Sequence, residues 1–300
     1  MIILCADDFG LSGGVSRGIV DLCRAQRLSA VSALVTTADW TEQAALLREV
    51  RGAVAIGLHF NLTLGEPLLV HRRAAHLNAN GSFFTVGQLV RRALARRLNS
   101  AQLRAECGAQ IAAFQAATGA LPDFIDGHQH VHALPIVRHA VIAATDDHAW
   151  AQRPLVRLPR TRRYGLSGRG GAPLKEGAVN LLTRGFDDLL RAAGLPHNET
   201  FAGFSTFAVG SDYGAELETA LAAGEQPANH NRQAPFRRCH LVMCHPGYVD
   251  EALAARGDPL IERRREEFDA LMDADDLPGR IWHPERDSDG AIDWDQAMGR

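Results

Sequence analysis

Features that define several common protein classes are missing from this 300-residue chain. Its five cysteines are odd in number and none has C-x-x-C spacing, which argues against a disulfide framework or a thiolate zinc site. No uninterrupted run of about 18 apolar residues occurs, and the N-terminal segment has neither the basic stretch nor the apolar length of a signal peptide. The net charge of -3 gives no reason to expect nucleic acid. These absences predict a soluble, cytoplasmic protein, with a peripheral contact to the inner membrane left open.

Two further absences narrow the type of fold and of metal chemistry. The chain has no internal repeat of about 20 to 50 residues, which argues against solenoids and arrays. It also lacks H-E-x-x-H, because no glutamate lies between His128 and His132, and this excludes the zinc-protease helix.

Short apolar runs alternate along the chain with longer segments of helical period. This alternation is typical of a parallel sheet with crossover helices. Seven or eight strands are predicted, at 2–6, 30–36, 53–58, 123–125, 155–158, 201–207, 240–244 and, for the eighth, 280–282. That number favours one α/β barrel domain over residues 1–300, with its longest helix at 86–118. The stretches near 65–84 and 160–173 are too long for simple connections and are predicted to be loop insertions that cover the site.

Four of the predicted strands pass directly into residues that can bind a metal or move a proton. The first strand leads into Asp7 and Asp8, the third into His59, and the seventh into His245. The fourth leads into three histidines, His128, His130 and His132. Because the carboxyl ends of parallel strands open onto one face, these distant residues are expected to converge there.

The combination of one aspartate with two histidines suits a divalent metal that keeps an open position for water, which is the arrangement of a hydrolytic site. Neighbouring residues on an extended strand point to opposite sides. One of Asp7 and Asp8 can therefore bind the ion while the other acts as a general base, and the metal charge offsets their repulsion. The residues alone do not say which aspartate takes which role.

Each element of this set also has an ordinary structural interpretation. A pair of aspartates at a strand end is common as a helix N-cap or turn, and a single histidine such as His59 is common as a hydrogen-bonded loop residue. Only the occurrence of all four strand ends together favours a metal site.

The four motifs resemble, in order, those of the YdjC-like carbohydrate deacetylases, relatives of the NodB polysaccharide deacetylases. The matching segments are ADDFG at 6–10, GLHFNLT at 57–63, DGHQHVH at 126–132 and MCHPG at 243–247. The resemblance extends from residue 2 to about residue 283. It implies an irregular, TIM-like (β/α) barrel and an enzyme that removes the N-acetyl group from N-acetylglucosamine units with one divalent cation.

The resemblance also implies a role for individual residues. Asp8, His59 and His128 would bind the metal, Asp7 would act as general base on the attacking water, and His245 would protonate the leaving amine.

Two residues of the same motifs, Asn61 and His132, are expected to bind the substrate. For His132 a supporting position behind the metal ligands is the alternative, and the case for His130 is weaker than that for His132.

The substrate class is less sharply indicated than the reaction. The chain is most similar to the hopanoid-associated branch in its length, in HLVMCHPGYVD at 240–250 and in IWHPERD at 281–287. This resemblance implies an N-acetylglucosaminyl glycolipid, with chitooligosaccharides such as chitobiose as the alternative.

Clusters of arginine bear on a membrane contact. Six arginines and no acid lie between residues 153 and 169, namely Arg153, Arg157, Arg160, Arg162, Arg163 and Arg169. This segment could meet an anionic membrane surface, or it could be a solvated basic loop. The arginines at 91, 92, 96 and 97 are interpreted as a solvated helix face.

Functions from other classes are disfavoured. A phosphoesterase would use similar ligands, but two-metal sites need more carboxylates. A non-catalytic sugar-binding protein would be expected to lack the base or the acid. Two imidazoles favour Zn²⁺ over Mg²⁺, although the resemblance allows either, and a homodimer is among the oligomeric states that the sequence leaves open.

Overall fold

The computed structural model describes residues 1–69, 77–161, 173–205, 210–225 and 239–299. Its strands are β1 (Ile2–Phe9), β2 (Ala30–Ala33), β3 (Ala55–Phe60), β4 (Asn78–Ala79), β5 (Ser82–Phe83), β6 (Phe124–Gly127), β7 (Leu155–Val156), β8 (Thr200–Ala202) and β9 (His240–Cys244). Seven of these strands pair in parallel in the order β7-β6-β3-β2-β1-β9-β8, and β4 and β5 form a separate antiparallel pair. The predicted α/β class and its parallel sheet are confirmed.

Helices connect and cover the strands. They are α1 (Gly13–Arg24), α2 (Trp40–Val50), α3 (Val86–Leu94), α4 (Ser100–Thr118), α5 (Val137–Thr145), α6 (Pro173–Leu182), α7 (Phe186–Ala192), α8 (Tyr213–Glu225), α9 (Glu251–Ala255), α10 (Ile261–Asp273), α11 (Leu277–Arg280) and α12 (Trp294–Ala297). A 3-10 segment, His128–Ala133, follows β6. None of the described helices has the length and apolar character needed to cross a membrane.

One predicted helix and one predicted strand were wrong. The helix predicted over 86–118 is divided into α3 and α4, because Arg96 adopts a left-handed φ of 55° and Asn99 caps a new helix by accepting the Gln102 N–H. The eighth strand predicted at 280–282 is absent from the described residues. Arg280 ends α11, and only a single backbone bond, from the Trp282 N–H to the Ile2 carbonyl, joins this segment to the sheet.

The sheet curls into an irregular barrel whose edge strands, β7 and β8, are bridged by the segment that precedes β8. The Val156 N–H donates to the Pro196 carbonyl at 2.8 Å. The Asn198 side chain accepts from the Leu158 N–H and donates to its carbonyl, so it replaces the missing strand-to-strand bonds. The interior of the curl is filled by side chains from alternate strand positions and by Trp294 from α12.

The outer core lies between the sheet and its helices and draws residues from Ile2 to Ile281. The single-domain prediction stays a prediction. Of the two predicted loop insertions, residues 70–76 and 162–172 lie outside the described residues, and the described part of the first contains the β4–β5 hairpin.

Candidate active site

The carboxyl ends of the central strands meet at a cavity of about 690 Å³. Asp7 and Asp8 reach it from β1, His59 from β3, His128 from just beyond β6, and His245 from just beyond β9. The expected convergence of these residues at one face is therefore observed.

The end of β1 departs from a regular strand where the two aspartates lie. Asp8 has a left-handed φ of 68°, and the pairing register with β2 shifts between Ala6 and Phe9. Gly10 continues the bend at φ 90°, where an added Cβ would lie 2.6 Å from the Leu34 carbonyl oxygen. The two aspartates thus line one cavity because the strand bulges, and simple alternation along a strand does not describe their orientation.

Asp8, His59 and His128 form a group whose ligand atoms all lie within 4.8 Å of one another. The Asp8 Oδ1 atom is 3.4 Å from His59 Nε2 and 3.0 Å from His128 Nδ1. One carboxylate oxygen and two imidazole nitrogens are the donor set of a catalytic zinc site with an open position. The donor chemistry fits a divalent cation.

The outer edge of the His59 ring is fixed by residues on neighbouring strands. His59 Nδ1 lies 2.7 Å from Asp126 Oδ1 and 2.9 Å from Ser32 Oγ, which leaves Nε2 directed to Asp8. This carboxylate–histidine arrangement orients ligating histidines in metalloproteins. Burial lowers the pKa of His59, but Asp126 and Asp7 outweigh it and raise that pKa to about 10. The carboxylates around the His59 ring therefore favour a positive charge on it.

Arg264 of α10 holds the second oxygen of Asp8. Its Nη2 atom donates to Asp8 Oδ2 at 2.7 Å and its Nε atom to Asp258 Oδ2 at 2.6 Å, and all three side chains line the cavity. Burial raises the pKa of Asp8, but Arg264 and His128 outweigh it and hold that pKa well below its usual range. Asp8 is therefore an anion with one oxygen engaged and the other directed to the histidines.

Asp7 has a different arginine partner. Arg157, which directly follows β7, donates from Nη1 to Asp7 Oδ2 at 2.7 Å and from Nη2 to Oδ1 at 2.6 Å. Arg157 is fully buried and also pairs with Asp126, 2.5 Å away. This fork holds the Asp7 carboxylate in one orientation at the cavity wall.

Cys5, Asp7 and Asp126 form a second group of close potential metal ligands. The Arg157 guanidinium contacts all three residues, with its Nη2 atom 3.1 Å from the Cys5 sulfur. Burial raises the pKa of the Cys5 thiol well above its usual value. The guanidinium nitrogens of Arg157 already occupy the carboxylate oxygens of Asp7 and one oxygen of Asp126, so this group does not fit a metal site.

His245 lines the same cavity as His59 and His128 and is fixed through its backbone. Its N–H donates to Glu267 of α10, and its carbonyl accepts from Arg264 at 3.4 Å. Burial raises the pKa of Glu267 to about 7, against the opposing effects of the His245 N–H and Arg263. Helix α10 thus contacts both Asp8, the predicted metal ligand, and His245, the candidate acid.

The two residues expected to bind substrate, Asn61 and His132, are fully buried and are not among the residues that line the cavity. Asn61 accepts from the N–H groups of Thr63 and Leu64, so it shapes the turn that places those two residues on the cavity wall. His132 bonds the Arg157 carbonyl at 2.8 Å, and burial lowers its pKa to about 4, which keeps it neutral. Both have supporting positions, and their direct contact with substrate stays a prediction.

His130, the residue with the weaker sequence case, does line the cavity. It has a left-handed φ of 59° and packs edge-on against Phe201 and Phe204.

Four residues of the site were missed by sequence reasoning: Ser32, Asp126, Arg157 and Arg264. Asp126 and Arg157 follow the same strand-end pattern as the residues that were found, and that pattern could have identified them. Nothing local marks Arg264, which lies in the charged run ERRREE of an amphipathic helix.

The basic segment at 153–169 is not a continuous surface cluster. Arg157 lies in the site, Arg153 pairs with Asp146, and Arg160 pairs with Asp187. Arg162, Arg163 and Arg169 lie outside the described residues. Placing Arg157 in a membrane-facing loop was wrong, because two buried carboxylates hold it inside the barrel.

Comparisons with known proteins agree with this geometry. Residues 1–275 match the family model described as YdjC-like protein. Carbohydrate deacetylases of Mus musculus and Homo sapiens are 32% and 33% identical, covering 82% of this chain and 78% and 75% of the relatives. A chitooligosaccharide deacetylase of Yersinia pestis is 36% identical over 48% of this chain and 54% of the relative.

One solved structure shares the fold over its whole length. It comes from Enterococcus faecalis, was described provisionally as a cellobiose-phosphate cleavage protein, and superposes with a TM-score of 0.71 at 19% identity, covering 99% of this chain and 98% of that one. The irregular barrel predicted from the sequence is confirmed. From the extent of the family match and the identity to its relatives, the chain belongs to the YdjC-like family.

Proposed function

We propose that this protein is a metal-dependent carbohydrate N-deacetylase that hydrolyses the acetamide of an N-acetylglucosamine unit. The observation that carries the proposal is the grouping of Asp8, His59 and His128 within 4.8 Å, in a cavity that Asp7 and His245 also line. The names of the mammalian and bacterial relatives agree with this chemistry.

The residues divide the reaction between them. When bound by Asp8, His59 and His128, a divalent cation supplies Lewis-acid polarisation of the acetyl carbonyl and acidifies water. Asp7, oriented by Arg157, accepts the proton of the attacking water. His245 then protonates the amine nitrogen as the C–N bond breaks, which releases acetate and a free amino sugar.

The shape of the cavity favours a lipid-linked sugar of the hopanoid type as the substrate. Away from the charged end, its wall is aliphatic, with Leu64, Val86, Val90, Leu134 and Leu182. Among the described residues that line it, there is no tryptophan, tyrosine or phenylalanine to offer a flat face for stacking a second sugar ring. An aliphatic wall suits a hydrocarbon portion next to the sugar.

Chitooligosaccharides are the second candidate substrate, favoured by the Yersinia pestis relative. Acetate release from purified protein, reconstituted with Zn²⁺ or Mg²⁺, should be measured side by side on chitobiose and on an N-acetylglucosaminyl lipid. We expect acetate from the lipid with the higher kcat/KM, and no phosphate from a phosphomonoester control.

The metal site itself is tested by elemental analysis. His59→Ala and His128→Ala are expected to lose bound metal and acetate release together. Full metal content in both variants would contradict the ligand assignment, and acetate from neither substrate would contradict the proposed reaction.

A further inference from the structure

Helix α3 forms one wall of the cavity and continues beyond it to the protein surface. Val86 and Val90 line the cavity, and Leu94 lies one turn further along the same side of the helix. The side chain of Leu94 is 60% exposed and that of Val86 is 39% exposed. The aliphatic wall of the cavity thus continues as an apolar stripe onto the outside of the molecule.

A second cavity wall carries an exposed leucine as well. Val179 and Leu182 of α6 line the cavity, and the neighbouring Leu181 is 71% exposed. Large exposed apolar side chains cost solvation free energy in a protein that leaves them uncovered. Three of the six among the described residues lie on these two cavity-forming helices, which indicates a contact surface.

The charge around α3 selects the kind of partner. Residues 77–105 contain five arginines and no aspartate or glutamate, although the chain as a whole has a net charge of -3. Arg104 pairs with Asp147, whereas within the described ranges no acidic side chain pairs with Arg91, Arg96 or Arg97. A short helix with an apolar stripe beside arginines is the pattern of helices that lie in the interface of an anionic bilayer.

We propose that the surface formed by Leu94, Arg91, Arg96 and Arg97 rests on an anionic lipid bilayer, so that a lipid-linked sugar passes from the membrane into the adjoining cavity. The inference rests on the proposed function for its substrate, but the surface itself is defined by its own charge and exposure. Continuity of the apolar stripe with the cavity favours a bilayer over a peptide or a second copy of the chain. This surface replaces the 153–169 segment as the expected membrane contact.

Vesicle sedimentation tests the surface without using activity. Purified protein is mixed with two kinds of vesicle. One kind is phosphatidylcholine alone, and in the other two of every five lipids are phosphatidylglycerol. The fraction of protein that pellets with the vesicles gives the partition coefficient. We expect binding to the anionic vesicles only. Each basic residue near such a surface contributes about 1 kcal/mol, so R91Q/R96Q/R97Q should reduce partition by about a hundredfold, and L94Q should reduce it by a smaller factor.

The matched control removes the same charge elsewhere. R24Q/R191Q/R265Q changes three arginines whose side chains are 55%, 58% and 79% exposed, and it should retain most of the wild-type binding. Equal loss in both triple variants, equal binding to neutral vesicles, or no binding by the wild type would each overturn the proposal. Light scattering without lipid tests for a second copy, and a dimer that L94Q dissociates would also overturn it.

Acetate release from water-soluble chitobiose separates this inference from the proposed function. R91Q/R96Q/R97Q and L94Q are expected to match the wild type in acetate release from chitobiose, because none of the substituted residues lines the cavity. Unchanged acetate release with no vesicle binding refutes the surface alone. Vesicle binding with no acetate from any substrate refutes the deacetylase proposal and leaves the surface intact.

Discussion

The two adjacent aspartates at the end of β1 differ in how they are held. Asp7 receives two hydrogen bonds from Arg157, one on each oxygen, and that arginine is fully buried inside the barrel. Asp8 accepts a hydrogen bond from Arg264 on one oxygen only, and this arginine lies on a helix outside the barrel. The other oxygen of Asp8 faces two histidines. Each carboxylate thus has its own arginine.

This difference explains how neighbouring like charges are tolerated and given separate tasks. A fork on both oxygens orients Asp7 and leaves it without a contact to a ligand histidine, which suits a proton acceptor. A single arginine contact on Asp8 leaves one oxygen available for a metal. The bulge at Asp8 turns the two side chains toward different partners in the same cavity.

The largest expected effects come from exchanging each carboxylate for its amide. Asp7→Asn should lower kcat by about 10²- to 10⁴-fold, the usual contribution of a general base, while the protein retains its full metal content. Asp8→Asn should instead lose the metal, measured by elemental analysis after gel filtration. If Asp7→Asn loses the metal and Asp8→Asn keeps it, the two roles are reversed.

Substitution of the two arginines, Arg157 and Arg264, should also give two different results, with somewhat smaller effects than substitution of the aspartates. Arg157→Gln leaves Asp7 buried without its cation and Asp126 with His59 and Ser32 as its remaining partners, so the free energy of unfolding should fall by about 3–5 kcal/mol in chemical denaturation. Arg264→Gln should weaken Zn²⁺ affinity by about 10- to 100-fold, as is usual for partners that orient metal ligands. Affinity is measured by competition with a chromophoric chelator.

Arg157→Lys keeps the positive charge, and it is the variant to measure if Arg157→Gln does not fold. Its Zn²⁺ affinity should stay close to that of the wild type. A loss of Zn²⁺ affinity as large as that of Arg264→Gln would mean that the Asp7–Arg157 and Asp8–Arg264 pairs do not have separate roles.

The smallest expected effect is at Asp258, which touches Asp8 only through Arg264. Asp258→Asn should weaken Zn²⁺ binding by less than about tenfold, corresponding to less than ~1.4 kcal/mol. Asp275→Asn is the matched control, because its side chain is 97% exposed and pairs with Arg27. An effect at Asp258 as large as that at Arg264 would show that Asp258 acts on the metal site directly.

The residues predicted from strand ends were brought together because that pattern reflects a rule of parallel sheets. Asp7, Asp8, His59, His128 and His245 each follow an apolar run, and all five line one cavity. Asp126 and Arg157 also follow the strand-end pattern. They were not identified, because an aspartate or arginine after a strand has many ordinary explanations. Arg264 could not be identified from the sequence, because the sequence of a charged helix does not show which arginine turns inward.

The sequence by itself determined the α/β class, the parallel strands and the set of chemistry-bearing strand ends, because apolar periodicity and chain order are local properties. The tertiary structure alone decided which aspartate faces the histidines, since that depends on a left-handed residue in β1 and on an arginine 256 positions away. It also decided that Arg157 lies inside the barrel while Arg91, Arg96 and Arg97 stay outside. Charge on a side chain is visible in a sequence, but the carboxylates that compensate it are found only by folding.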